Sequence, residues 1–213
     1  DGYADTLEIA APICARHGIV ATCFASAGPA GGGSALWFDV WYSLVHAGLG
    51  RYDWNTALHS VGVPPAADLA ACVHGSPKQW LASLSPGPRE AILVRLADAL
   101  GVPLPTSHYL DVDGLRQLRH LGWRIGGHGV HHQRLGDCDA CTVTRELRGS
   151  RQLLADVGER APLLFAYPDG DRNEVVSQAV ASEGFAFACT VHSAPLTDPG
   201  ERLTIPRVFC RGD

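Results

Sequence analysis

Methionine is absent from the 213 residues, and the chain opens Asp-Gly-Tyr. A natural start needs Met, so a fragment or a processed product is expected, and a leader upstream of Asp1 stays open. Lysine is nearly absent too: Lys78 is the single one, arginine carries the remaining positive charge, and the net charge is −5. Without a block of basic residues there is no cationic face, which disfavours nucleic acid and anionic membranes as partners. No apolar run is long enough to cross a bilayer, so no membrane span is expected. Charged residues make up 18 % and apolar residues 46 %, a balance that fills a core and argues against disorder. Gly (24) and Pro (14) follow no period, which removes collagen-like and low-complexity folds. The seven cysteines are Cys14, Cys23, Cys72, Cys138, Cys141, Cys189 and Cys210. An odd number without regular spacing is no disulfide framework, and reduced thiols in a cytoplasmic protein are the plainer expectation.

What is present is an alternation of helix and strand patterns. Residues 4–17 carry Leu7, Ala10, Ala11 and Cys14 at helical spacing, with Gly18 as a stop. Ile19 to Phe24 is short and β-branched and reads as a buried strand. After the break Gly28 to Ser34, the pattern is helical to about residue 110: Trp37 to Leu49, a helix opened by Ser76-Pro77, and Pro88 to Leu100 ending at Gly101. This stretch, 35–110, is expected to be a helical insertion too small for a core of its own. Alternation then resumes: a helix from Asp111 to Leu121 with Leu115, Leu118 and Leu121 inward, and a strand from Trp123 to Gly126. A helix from Cys141 to Val157 and a strand from Leu163 to Ala166 follow. Last come a helix from Asn173 to Glu183 and strands from Phe185 to Thr190 and Leu203 to Phe209. Repeated strand–helix units with short connections imply an α/β fold with a parallel sheet or barrel, whose sites gather where strands end.

The densest chemical signal is Ile125-Gly-Gly-His128-Gly-Val-His131-His132, directly after a predicted strand. His128 and His132 are spaced i and i+4, and one helical turn would set both imidazoles toward one cation. The alternative is a polar surface loop in which histidine recurs by chance. Asp1-Gly2 precedes the first helix, and Phe165-Ala-Tyr-Pro-Asp-Gly170 closes another strand with a turn.

At these residues the chain resembles the polysaccharide deacetylases, the carbohydrate esterases with a NodB-type domain. Asp1-Gly2 looks like the end of that family's Thr-Phe-Asp-Asp-Gly motif. His128 and His132 match its His-Ser/Thr-x-x-His motif, with Gly129 in place of Ser/Thr. Phe165 to Gly170 is similar to the Phe-Ala-Tyr-Pro variant of its third motif. Ile19 to Phe24 and Leu203 to Val208 are similar to strands of the same subgroup. The resemblance implies a distorted (β/α) barrel of the NodB type over residues 1–213, lacking its first strand and holding the insertion 35–110. It implies a divalent metal, zinc above all, held by Asp1, His128 and His132 with one position left to water. One carboxylate and two imidazoles with an open position are the donor pattern of a catalytic zinc. The expected function is a metal-dependent hydrolase removing N-acetyl groups from sugars of a glycan or glycoconjugate. The alternative is a non-catalytic metal- or glycan-binding member of the same fold.

The family's general base precedes Asp1 and is absent here. Ala166 stands where the family often has the arginine that orients that base. Arg207 is a candidate substitute, with a surface ion pair as the alternative. Asp169 replaces an aromatic residue; it lines the groove, acts as a base, or merely forms an Asp-Gly turn. His192 is the candidate general acid, with an exposed loop histidine as the alternative. Tyr167 and Pro168 are expected to face substrate, and Trp37 and Trp41 to stack on sugar rings unless they pack a helical core. With them, the insertion is expected to cap the groove and set which glycan fits. His131 is expected to point away from the metal. Cys138 and Cys141 form a Cys-x-x-Cys pair at a helix start that lacks the second pair a structural zinc needs.

Overall fold

The computed structural model describes residues 1–47, 54–62, 77–105, 108–192 and 201–208. Leu49, Cys72, Phe209, Cys210 and the side chain of Trp54 lie outside the described residues. Two compact units are present: Asp1–Ser34 with His108–Asp213, and Ala35–Ser107.

The first unit is an α/β fold. A helical segment with π geometry at Thr6–Ala10 runs into α1, Ala11–Arg16. Strand β1 follows at Thr22–Ala25, and then a single helical turn, α2, at Ala27–Ala30. Beyond the second unit come α7 (Val112–His120) and β2 (Arg124–Gly127). The chain then forms α8 (Ala140–Val157), β3 (Leu163–Ala166), α9 (Glu174–Ser182) and β4 (Phe185–Cys189). All four strands are parallel, in the order β1-β2-β3-β4, with Cys23 opposite Ile125 and Gly127 opposite Phe165. The predicted parallel sheet is therefore present, but among the described residues it does not close into a barrel. The strand expected at Leu203–Phe209 is a single parallel bridge, Ile205 to Cys189. Pro206 follows immediately and has no N–H to extend a ladder.

Side-chain placement follows the sequence pattern in most elements. Asp111, Asp139 and Asn173 cap α7, α8 and α9, each accepting from a backbone N–H three residues on. Leu115, Leu118, Leu147, Leu154 and Val180 bury their helix faces against Ile125, Phe165 and Ala188. Burying each Leu or Ile stabilises the fold by about 1.5–3 kcal/mol. Leu121, expected inward, is exposed because α7 ends at His120 and the helical period no longer directs it. Ile19 and Val20 are exposed as well, since β1 begins two residues later, at Thr22.

The second unit holds α3 (Trp37–His46), α4 (Trp54–Ser60), α5 (Pro77–Ser83) and α6 (Pro86–Leu100). It has an apolar cluster of its own, built on Leu44, Leu58, Leu81, Leu93 and Leu96, so the expectation of a coreless insertion is corrected. Its boundary also shifts: His108 to Leu110 belong to the first unit, where Tyr3 and Tyr109 pair and the amide of Leu110 donates to the Gly2 carbonyl. Trp37 and Trp41 are not sugar platforms. They are 7 % and 9 % exposed inside this cluster, and a ring with no open face cannot stack on a sugar. The Arg89 guanidinium lies 4.8 Å over the Trp37 ring, a cation–π contact.

Candidate metal centre

The centre is built where β1 and β2 end. Gly126 is required in β2 because a Cβ there would lie 2.4 Å from Cδ1 of Phe24. With Gly126 the neighbouring strand packs close, and the chain leaves β2 at His128. The loop that follows is not the expected helical turn. It reverses at Gly129 (φ +76°) and again at His132 (φ +52°). A non-glycine residue in the left-handed region costs about 1–3 kcal/mol, so surrounding contacts hold it there. The two turns bring the imidazoles together by a different route from the one predicted, with ring centroids 4.8 Å apart and planes at 84°.

Asp1 joins them from beside β1. Its nitrogen donates to the Phe24 carbonyl at 2.7 Å, and its carbonyl accepts from the Ser26 amide. Its Oδ1 then stands 3.3 Å from Nε2 of His128 and 3.3 Å from Nε2 of His132. The ligand atoms of Asp1, His128 and His132 all lie within 4.8 Å of one another. His128 Nδ1 is 2.7 Å from the Ala166 carbonyl, which can only accept, so Nδ1 carries the proton. Burial pushes the His128 pKa well below its ordinary range, which keeps the ring neutral. Its Nε2 therefore directs a lone pair at a carboxylate oxygen, an arrangement that calls for a cation between them. Two donors each about 2.1 Å from one tetrahedral ion are separated by about 3.4 Å, so the donor set fits a zinc-like ion. A carbonyl holding the far nitrogen of a ligand histidine is the usual outer support of such a site.

The ligand atoms open onto a cavity of about 530 Å³ that Tyr3, Phe24, Trp123, Asp169 and Arg207 also line. Asp169 is exposed, in the left-handed region (φ +54°). Arg207 is carried to the cavity by the 201–208 segment. Its Nε donates to the Thr190 carbonyl at 2.7 Å, and its guanidinium lies 5.9 Å from the Phe24 ring. Among the described residues it forms no ion pair. His192 is exposed and absent from the cavity lining. Its backbone carbonyl accepts from the Arg207 amide.

Tyr167 and Pro168 are corrected as well, since both are buried. The Tyr167 hydroxyl donates to the Leu203 carbonyl at 3.0 Å, and burial pushes its pKa up. It fastens the segment that carries Arg207 rather than meeting a ligand.

Glu146 and Asp171 were not singled out by the sequence. Glu146 accepts from the amides of Val130 and His131 and from His131 Nδ1, which turns His131 away from the centre as expected. Burial pushes the Glu146 carboxyl up, but these hydrogen bonds outweigh it and leave the pKa below the ordinary value. Asp171 accepts from the Gly136 amide at 2.7 Å and pairs with Arg134, tying down the chain beyond His132. A signal for Glu146 was available: it sits in the inward row of α8 with Val143, Ser150 and Val157. A carboxylate in an apolar row needs buried donors. The described cysteines Cys14, Cys23, Cys138, Cys141 and Cys189 are free thiols, and Cys138 donates to the Arg134 carbonyl.

Residues 99–188 match the family model for polysaccharide deacetylase. No curated protein matches the sequence. Among solved structures, the Streptococcus pyogenes deacetylase PplD in complex with acetate aligns at TM-score 0.57 and 15 % identity, covering 98 % of this chain and 60 % of that one. The BpsB deacetylase domain from Bordetella bronchiseptica aligns at 0.54 and 14 %, covering 98 % and 67 %. IcaB from Ammonifex degensii aligns at 0.52 and 13 %, covering 99 % and 65 %. The chain thus spans 60 % of the length of PplD, and at these identities the likeness is one of fold. Fold and family match point the same way: residues 99–188 match the polysaccharide deacetylase model, and the α/β fold with its parallel sheet is that of the NodB-type deacetylase structures. The resemblance read from the motifs holds at the level of the family; the Phe-Ala-Tyr-Pro subgroup does not follow from these matches.

Proposed function

We propose that this chain is the metal-binding domain of a zinc-dependent N-deacetylase, which hydrolyses the acetamide of an N-acetylated sugar in a glycan or glycoconjugate. The observation that carries the reading is the convergence of Asp1 Oδ1 with the Nε2 atoms of His128 and His132 at the ends of parallel strands, facing an open cavity. When bound there, a divalent ion with three protein ligands polarises an amide carbonyl and lowers the pKa of water toward ~7. The side chains supply the rest. The Ala166 carbonyl fixes the His128 tautomer, and burial keeps that ring neutral and ready to coordinate. With Asp1 engaged between the imidazoles, Asp169 is the other carboxylate of the described lining and takes the role of proton acceptor. Arg207 brings a positive charge to the same cavity to steady that carboxylate or the substrate carbonyl.

A second reading keeps the fold and drops the catalysis: a domain that binds metal or glycan. It is favoured by His192, which is exposed and leaves the described lining with no imidazole besides His128 and His132 to serve as an acid. Metal content and acetate release from an N-acetylated oligosaccharide, measured on the same preparation, separate the two. The deacetylase reading expects about one zinc per chain and acetate release that Asp169→Asn lowers without loss of zinc. Zinc and glycan binding without acetate release supports the binding domain. Equal metal content in the parent, His128→Ala and His132→Ala rejects the metal centre.

A further inference from the structure

The loop 128–132 belongs to no helix or strand, so its shape comes from contacts outside itself. Two sides hold it. On one, the amides of Ala27 and Gly28 donate to the carbonyls of Gly129 and Val130 at 2.9 and 3.0 Å. On the other stands Glu146 of α8, with 0 % exposure. Its Oε2 accepts from the Val130 amide at 2.7 Å and the His131 amide at 3.0 Å, and its Oε1 lies 2.7 Å from His131 Nδ1. Gly129 completes the fit. A Cβ at that position would lie 2.9 Å from Glu146 Oε2, so the carboxylate occupies the room a side chain would need.

We propose that Glu146 is a positioning residue: its buried carboxylate is the template on which residues 129–131 are folded, and this turns His132 back toward Asp1 beside His128. Glu146 touches neither ligand imidazole and does not face the cavity. It acts through the backbone of the loop. The space it fills also explains Gly129, which stands where the resembled family's motif carries Ser or Thr. The consequence for zinc rests on the metal reading above; the template itself does not.

The test uses the full chain and zinc ion as the probe, with Glu159→Gln as control. Glu159 is an equally enclosed carboxylate at the opposite end of β2, where it holds the Ile125 amide and Arg124. Glu146→Gln is expected to bind zinc about 10–100-fold more weakly, the usual loss for an outer support of a metal ligand, with faster hydrogen exchange at the Val130 and His131 amides. Glu159→Gln is expected to lose thermal stability and keep the parent's zinc affinity. If Glu146→Gln does not fold, Glu146→Asp, which withdraws the carboxylate by one methylene, reads the same two quantities. Parental zinc affinity and parental exchange at Val130 and His131 in a folded Glu146 variant overturn the proposal, and so does an equal loss of zinc affinity in Glu159→Gln. A folded parent that binds no zinc removes the metal reading, and the exchange measurement still decides the role of Glu146.

Discussion

The two units bury different things. The second unit fills its interior with Trp37, Leu44, Leu58, Leu93 and Leu96, and the described polar side chain within it is Arg89, stacked on Trp37. The first unit has an apolar core of the same kind, yet it also buries His128, His132, Glu146 and Ser150. Burying polar groups costs stability unless each is partnered. In the first unit these groups cluster around one strand end, where His128 donates to Ala166 and Glu146 collects three donors. In the second unit buried area is explained by packing; in the first, part of it is explained by a site. The same substitution therefore has different consequences in the two places.

The largest expected effect is on metal. His128→Ala or His132→Ala removes one of three ligands, and zinc affinity should fall at least about 100-fold, or ~2.7 kcal/mol. Thermal stability without metal should fall by only about 1–3 kcal/mol for His128→Ala, which takes the buried hydrogen bond from the Ala166 carbonyl. Equilibrium zinc titration beside thermal melts checks both halves, and a folded variant with unchanged affinity refutes the centre. Trp37→Ala is the opposite case. It should cost about 3–5 kcal/mol of stability, as for a buried aromatic, while zinc affinity of the folded fraction stays at the parent's value. Denaturant unfolding of the variant decides this, and a loss under about 1 kcal/mol would reopen a surface role for that ring.

A smaller effect concerns pH. The pKa of His128 is held well below its ordinary 6.5 by burial. In the unfolded chain the ring regains a pKa near ~6.5. Above that value neither state binds the proton, and below it the unfolded chain binds it first. Stability without metal should therefore fall as pH drops from 6.5, by at most ~1.4 kcal/mol per pH unit for this one group. This window lies above 4.5, the ordinary value below which the Glu146 carboxyl is held. Melts of the parent and of His128→Ala at about pH 7.5 and about pH 5.5 isolate the contribution, and equal acid sensitivity in the two proteins removes it. The smallest effect is at Tyr167. Tyr167→Phe deletes the hydrogen bond to Leu203 and should cost about 1 kcal/mol. Zinc affinity and substrate KM should stay unchanged, and a raised KM would restore Tyr167 to the groove.

The sequence by itself determined the local pieces. Helical spacing marked α7, α8 and α9, and a short apolar run marked β3, because their periodicity or length is strong and their caps are explicit. Three histidines after a strand marked the loop that carries the candidate centre, and the order of the motifs marked the resemblance to the polysaccharide deacetylases, whose family model matches residues 99–188. The tertiary structure decided what those pieces meet. The i,i+4 spacing of His128 and His132 suggested a helical turn, yet a loop reversed at Gly129 and His132 does the converging, held by a carboxylate 14 residues beyond His132. Trp37, Trp41 and Tyr167 are amphipathic side chains that suit either a groove or a core, and only the neighbours packed around them settle which. Chain order does not encode these choices, since contacts between residues far apart in sequence depend on how helices and strands stack. That stacking brought Asp1 to His128 across the end of the sheet and placed Glu146 behind the loop it shapes.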